Sequence, residues 1–136
     1  MALDIEAEIH ARIAAIETEP QASANPDDVH REILFIQDTV HTTAVEQREG
    51  TLRSVAQIEC YGIATPNSNV RRGIIRFRPH GDLRAPYFKE SDGTIRVWLD
   101  IVHMEHVLTQ LGHRKRWLWI GIWPDGYTYA DMHSRP

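Results

Sequence analysis

The residues best suited to chemistry lie near the C-terminus, where Asp131 and His133 stand two positions apart. Alternate residues of a β-strand point to the same face, so a strand here would place the carboxylate beside the imidazole. Such a carboxylate can fix the tautomer of a histidine and make it a general base. A small enzyme that uses this pair, with Arg76 or Arg96 nearby, is one hypothesis. Two residues of one strand are weak evidence for catalysis, so we assign no catalytic residue.

A second pair of chemically competent residues is His103 and His106, three positions apart on a predicted helix. Two histidines at this spacing are half of a zinc site. No cysteine pair or second histidine pair has a spacing that would complete the set. We therefore interpret both histidines as solvated helix residues, and we predict neither a metal ion nor another cofactor.

The segment that would position Asp131 and His133 is a predicted β-hairpin around Pro124–Gly126. Proline suits the second position of a type I turn, and the glycine that follows can adopt a positive φ. This turn pairs Trp117 with His133 and Gly121 with Tyr129, so the Tyr129 ring is expected to cover Gly121. One side of the hairpin is then aliphatic, and the other is aromatic.

Two other predicted strands, residues 70–78 and 94–99, divide their side chains in the same way. Isoleucine, valine, leucine and phenylalanine alternate with arginine and tryptophan along both. The sequence therefore predicts a sheet with an aliphatic face and an opposite arginine–tryptophan face. The candidate binding residues on the arginine–tryptophan face are Arg72, Arg76, Arg78, Arg96, Trp98, Trp117, Trp119, Tyr129, Asp131 and His133.

Three interpretations of the arginine–tryptophan face remain open. Single-stranded nucleic acid could stack its bases on the rings and pair its phosphates with the arginines. Trp, Tyr and Arg are also the residues that dominate protein interfaces, so the face could grip another protein. The third interpretation is a second core that is covered by the N-terminal helices or by another subunit.

The rest of the chain predicts three helices, one further strand and one short extended piece. A narrow isoleucine stripe predicts a first helix over residues 3–19, and residues 20–25 are a polar linker. Asn25, Pro26 and two acids predict the start of a second helix that ends near Gly50. A strand is predicted over 53–63, a short extended piece at Tyr87 and Phe88, and a third helix between Asp100 and Gly112.

These elements predict an α+β fold with a roughly five-stranded, mostly antiparallel sheet. One helix lies between strands 3 and 4, and two helices lie at the N-terminus. A crossover through the helix after Asp100 would allow one parallel strand pair. We divide the chain into an N-terminal helical arm and linker, residues 1–24, and a single α+β domain, residues 25–136.

Length, composition and charge limit the classes of protein to consider. The 136 residues are 42% hydrophobic, which is enough for one core, and the single cysteine, Cys60, excludes an internal disulfide. Residues 1–50 carry eleven acids and three arginines, a net charge of −8, whereas residues 51–136 carry eight acids and twelve bases, a net charge of +4. The overall charge of −4 argues against strong unaided binding to duplex nucleic acid.

No apolar run approaches the roughly 20 residues of a membrane span, and the acidic N-terminus is unlike a targeting leader. We therefore expect a cytoplasmic protein that binds a macromolecule, as an accessory or assembly subunit and as a homodimer. Its partner would be a protein or a second copy of the chain, held by the arginine–tryptophan face and the acidic N-terminal helices. Single-stranded nucleic acid is the alternative partner, an enzyme is the less favoured class, and no membrane partner is expected.

Overall fold

A computed structural model describes residues 7–11 and 28–136. Helical residues 7–11 form α1, and the first strand follows at His30. The strands are β1 (His30–Arg48), β2 (Thr51–Ala64), β3 (Arg72–Arg78), β4 (Tyr87–Lys89), β5 (Thr94–Asp100), β6 (Lys115–Ile122) and β7 (Thr128–Arg135). Two short 3₁₀ helices span His80–Asp82 and Ile101–His103, and the second continues into α2 (Met104–Leu111). The strands form one seven-stranded mixed sheet in the order β4-β5-β3-β2-β1-β6-β7.

The predicted five-stranded, mostly antiparallel sheet with three helices is wrong. The largest error is the second helix, because the described residues from His30 to Arg48 form β1. Isoleucines and valines three or four apart suggested a helix, but the run from Glu32 to Ile36 is buried on both sides of a sheet. The threonines and valines of residues 39–45 are β-branched, and such residues favour strands. The predicted linker, the predicted helix start at 25–27 and most of the first predicted helix lie outside the described residues.

The predicted position of the parallel pair is also wrong. The parallel neighbours are β3 and β5, and they are joined by residues 79–93, which include β4. The segment Ile101–Leu111 instead leads from β5 to β6, which lies four positions away, with β3, β2 and β1 between them. The connection therefore passes over the aliphatic face, where α2 packs.

The C-terminal hairpin is confirmed pair by pair. Trp117 lies opposite His133, Gly121 lies opposite Tyr129, and the register continues to Ile122 opposite Thr128. The Trp123 amide donates to the Tyr127 carbonyl at 2.9 Å, which closes the turn. Turn chemistry alone was enough to fix this register, because the loop length sets which residues face one another.

A β-bulge interrupts β1 at Gln37. Ile36 pairs with Gly62 and Asp38 pairs with Tyr61, so Gln37 has no partner in β2. The half-buried Arg116 side chain donates to the carbonyls of Ile36 and Gln37, at 3.3 and 3.0 Å, and also to that of Leu111 at the end of α2. One guanidinium thus satisfies backbone groups where β6 stops pairing with β1.

Beyond the sheet, β1 and β2 continue as a two-stranded arm. The last residue of β1 that pairs with β6 is Phe35, and the first residue of β2 that pairs with β3 is Ala56. Residues 44–55 therefore extend past both neighbouring strands. Val45 and Leu52 are each 69% exposed there. Arg53 donates to Glu46 across the arm at 2.5 Å, and this bond lowers the pKa of Glu46.

The aliphatic face forms the main core under α2. Val107 and Leu111 of α2 pack on it, and Cys60 is fully buried. Burial raises the pKa of the Cys60 thiol to about 12. The buried residues contributed by the sheet and the β2–β3 connection are Leu34, Ile36, Ile58, Cys60, Val70, Ile75, Phe77, Ile95, Val97, Leu118, Ile120 and Met132.

Candidate functional site

The arginine–tryptophan face exists, and it is divided into two halves. The register places all ten candidate residues on it, opposite the aliphatic residues of the same strands. Over β6 and β7 the face is covered, and we call this part the closed half. Over β3, β5 and β4 its side chains are partly exposed, and we call this part the open half.

Three tryptophans fill the closed half. Trp117, Trp119 and Trp123 are at most 1% exposed and form one cluster with Ile9, Val29 and Ile33. Ile9 comes from α1, which lies over the face, and Arg135 of β7 forms an ion pair with Glu8 of the same helix. The closed half is therefore a second core, as the third interpretation expected.

The rings of the closed half are packed at aromatic contact distances. Trp117 stacks on His133 at 5.4 Å between ring centroids, and Trp119 lies 5.5 Å from Tyr129. Tyr129 lies opposite Gly121, and the rings nearest to this glycine are those of two tryptophans. A Cβ atom at Gly121 would lie 2.9 Å from the Trp119 ring and 3.0 Å from the Trp123 ring, which are the nearest groups. Glycine is required there because its two neighbours on the same face are both tryptophans.

The open half is dominated by arginines. Arg72, Arg76 and Arg96 are half-buried on adjacent strands, with Trp98 beside Arg76. Neither Arg76 nor Arg96 has a carboxylate within 4.0 Å among the described residues, and the buried Nε atom of each has no hydrogen-bond partner there. A buried donor without an acceptor is unfavourable, so these groups favour an anionic ligand.

Carboxylates next to the open half are already engaged. Asp92 lies 3.9 Å from Arg72 and 3.8 Å from Lys89, and a hydrogen bond from Thr94, followed by the nearby positive charges, lowers its pKa. The Tyr61 hydroxyl donates to Glu59 at 2.6 Å, and this bond raises the pKa of Tyr61. Neither acid lies within ion-pair distance of Arg76 or Arg96, although the charge of Arg96 contributes to the lowered pKa of Asp92.

Two aromatic rings and one further arginine complete the open half. Tyr87 of β4, 43% exposed, stacks on Trp98 at 5.8 Å with the ring planes 28° apart. The Arg84 guanidinium lies 5.8 Å from the Trp98 ring centroid, a cation–π contact. Sequence reasoning missed Tyr87 and Arg84 as site residues, although the alternation of β5 and the tyrosine of a short extended piece were visible.

Arg78 is more deeply buried than the other candidate arginines. It is only 6% exposed, and it lines a polar cavity of about 240 Å³ with Arg53 and Arg84. Its Nη1 atom is buried and has no hydrogen-bond partner among the described residues. Burial lowers the pKa of the Arg78 guanidinium, and repulsion from neighbouring arginines adds to this.

Asp131 and His133 do lie side by side, as predicted. His133 Nδ1 is 2.6 Å from Asp131 Oδ1, and the ring is held flat against Trp117. The expected neighbours Arg76 and Arg96 are not near, since β3 and β7 are four strand spacings apart, roughly 19 Å. The carboxylate orients the imidazole, but the sheet order brings neither Arg76 nor Arg96 to the pair.

The histidines of the helical segment, His103 and His106, are both exposed. Within residues 7–11 and 28–136, no group of three His, Cys, Asp or Glu residues is arranged to hold a metal ion.

None of the helices in the described part of the chain has the length and apolar character that crossing a bilayer requires. Comparison with known proteins identifies no relative: no protein family, no curated protein and no solved structure matches the chain.

Proposed function

We propose that this protein binds a macromolecular partner through the open half of its arginine–tryptophan face, and that the partner presents negative charge. The first candidate is an acidic surface of another protein. The observation that carries this proposal is the pair Arg76 and Arg96, whose guanidinium groups have no carboxylate within 4.0 Å among the described residues. Arginine forms strong, oriented hydrogen bonds to carboxylates and phosphates.

The composition of the open half supports a binding surface. Tyr, Trp and Arg together are the residues that contribute most to protein interfaces. Tyr87, Trp98 and Arg84 form one mutually packed group beside Arg76 and Arg96. The acidic helix that we expected over residues 25–50 is not part of this proposal, because β1 occupies the described part of that segment.

A second candidate function, single-stranded nucleic-acid binding, is favoured by the ring pair of Tyr87 and Trp98. An exposed ring can stack a base for about 1 to 3 kcal/mol, and neighbouring arginines can pair with phosphates. The buried tryptophans of the closed half take no part in this. The stacking surface is therefore one aromatic pair rather than the full row of rings expected from the sequence.

Binding measurements with two fluorescent probes test the proposal: an acidic peptide and a single-stranded oligonucleotide of equal charge. We expect salt-dependent binding of at least one of them, weakening as ionic strength rises from roughly 50 to 200 mM. The double variant Arg76→Gln/Arg96→Gln should lose it. The matched control Arg48→Gln/Arg114→Gln removes the same charge at exposed positions outside the open half.

Each outcome has a defined meaning. Preference for the acidic peptide supports the first candidate, and preference for the oligonucleotide that weakens in Tyr87→Ala supports the second. Equal losses in both double variants would show that net charge alone matters, and that result would contradict a site in the open half. Absence of binding by either probe at low salt would refute the proposal.

A further inference from the structure

The cavity beside the open half contains more cationic than anionic groups. Arg53 of β2, Arg78 of β3 and Arg84 of the following loop line it, together with Gly81, Asp82 and Leu83. Three guanidinium groups around a space of about 240 Å³ repel one another, and an ordered anion relieves that repulsion. The nearest carboxylates, Glu46 and Asp82, form their contacts with Arg53.

Both nearby carboxylates are directed at Arg53. Glu46 accepts from Arg53 Nε at 2.5 Å, and Asp82 Oδ2 lies 4.0 Å from Arg53 Nη1. Neither is within 4.0 Å of Arg78 or Arg84 among the described residues. Two of the three arginines that line the cavity therefore have no ion-pair partner within the described part of the chain.

Arg78 is the central group of the cavity. Its side chain sits at the end of β3, where it is 94% removed from solvent, and its Nη1 has no acceptor among the described residues. Burial of a guanidinium is costly when no ion pair compensates for the lost hydration, and the attraction between Arg78 and Glu46 acts from beyond ion-pair distance. An oxyanion in the cavity would supply both the missing acceptor and the missing charge.

We propose that this cavity is a binding site for a phosphoryl group, with Arg53, Arg78 and Arg84 as its guanidinium ligands. Arginine forks match the oxygens of a tetrahedral phosphate, and up to three oxygens can be shared among three forks. A phosphoryl group also carries close to two negative charges near neutral pH, whereas a carboxylate carries one. The site is a separate proposal from macromolecular binding, because free inorganic phosphate suffices to test it.

The test is a titration of the full chain with inorganic phosphate at constant ionic strength, with chloride as the balancing ion. Arginine Nε–H signals in NMR spectra report occupancy at each side chain, and the thermal midpoint reports stabilisation by the ligand. We expect saturable shifts at Arg53, Arg78 and Arg84. Arg84→Gln should weaken binding roughly tenfold, the effect of one lost charged hydrogen bond.

Two further variants keep the test decisive. Arg78→Lys retains the buried charge but loses the fork, so it should fold and bind phosphate more weakly. Arg114→Gln removes an exposed guanidinium that lies outside both the cavity and the open half, and it should bind phosphate as the wild type does. Unchanged affinity in Arg78→Lys and Arg84→Gln, an equal loss in Arg114→Gln, or a response to acetate as strong as that to phosphate would overturn the proposal.

The source of the phosphoryl group is distinguished by comparing a phosphoserine peptide with a 5′-phosphorylated dinucleotide. If the peptide or the dinucleotide binds more tightly than inorganic phosphate, that ligand is the source of the phosphoryl group. If inorganic phosphate binds more tightly than both, the cavity is a site for free phosphate.

The phosphate site and the proposed macromolecular binding can fail separately. Phosphate binding without binding of either macromolecular probe leaves this site standing and removes the proposed function. Macromolecular binding that is lost in Arg76→Gln/Arg96→Gln, together with no saturable response to inorganic phosphate, does the reverse.

Discussion

The two halves of the arginine–tryptophan face belong to one sheet and show the same alternation of side chains, but their surroundings are opposite. In the closed half, Trp117, Trp119 and Trp123 are buried under Ile9 and Val29. In the open half, arginines and the Tyr87–Trp98 pair remain partly exposed. Alternation along a strand therefore determines which face a side chain joins, but not whether that face is covered. Covering depends on a segment distant in sequence, here α1.

The largest effect should come from truncating a ring of the closed half. Trp119 is fully buried, so Trp119→Ala should lower the free energy of unfolding by about 3 to 5 kcal/mol through lost burial and a cavity. Urea unfolding followed by circular dichroism measures this. The open-half variant Trp98→Ala is the matched comparison and should cost clearly less. Equal losses would mean that the two halves are not different environments.

A smaller loss is expected from adding a methyl group at Gly121. The new Cβ atom would press on the Trp119 and Trp123 rings, which are themselves fully packed, so Gly121→Ala should destabilise by about 1 to 3 kcal/mol. Gly81→Ala is the control, since a Cβ atom there meets no other group within 4 Å. Thermal unfolding of both variants gives the comparison. A neutral Gly121→Ala would show that the rings have room to move.

The burial of the aliphatic face can be tested through Cys60. The native thiol has its pKa raised to about 12 by burial, whereas the unfolded thiol ionises near 8.5 to 9. The folded state therefore keeps full stability below the unfolded value and loses it as pH rises toward 12. Cys60→Ala should flatten this alkaline loss. A thiol reagent should label wild-type protein at pH 8 only in urea, and rapid labelling without urea would contradict the buried core.

The smallest effects should come from the arginines of the open half. Arg96→Gln should change the free energy of unfolding by less than about 0.5 kcal/mol, because its guanidinium lies in no ion pair among the described residues.

Iodide quenching of tryptophan fluorescence compares the solvent exposure of the two halves. Trp98 should account for nearly all quenchable tryptophan emission, so Trp98→Phe should leave emission that iodide barely reduces. Strong quenching of that variant would mean that the closed half is accessible.

Short-range chemistry made part of the fold predictable. The turn at Pro124–Gly126 fixed the hairpin register, and the alternation in residues 72–78 and 94–99 gave the right faces. The side-by-side placement of Asp131 and His133 followed directly from that register. These predictions succeeded because each depends on neighbours within one hairpin or one strand.

The features that failed depend on distant contacts. Residues 33–36 are apolar on both sides, since they pack under α1 on one face and under α2 on the other, and such a strand lacks the alternation that identifies it. The bulge at Gln37 then shifts the period by one residue, which imitates helical spacing in the isoleucines and valines around it. The cavity of Arg53, Arg78 and Arg84 joins three separate segments, so no single stretch of sequence indicates it.

Because Gln37 has no partner in β2, we expect β1 to tolerate the deletion of this residue better than the deletion of its neighbours. Removing Gln37 would bring Ile36 and Asp38 into consecutive pairing with Gly62 and Tyr61, and every later residue would keep its partner and its side of the sheet. Removing one residue from the buried stretch before it, residues 33–36, would exchange the two faces of the sheet for the residues on one side of the deletion. A single-residue deletion scan should therefore find that loss of Gln37 is tolerated, whereas loss of a residue from 33–36 is strongly destabilising.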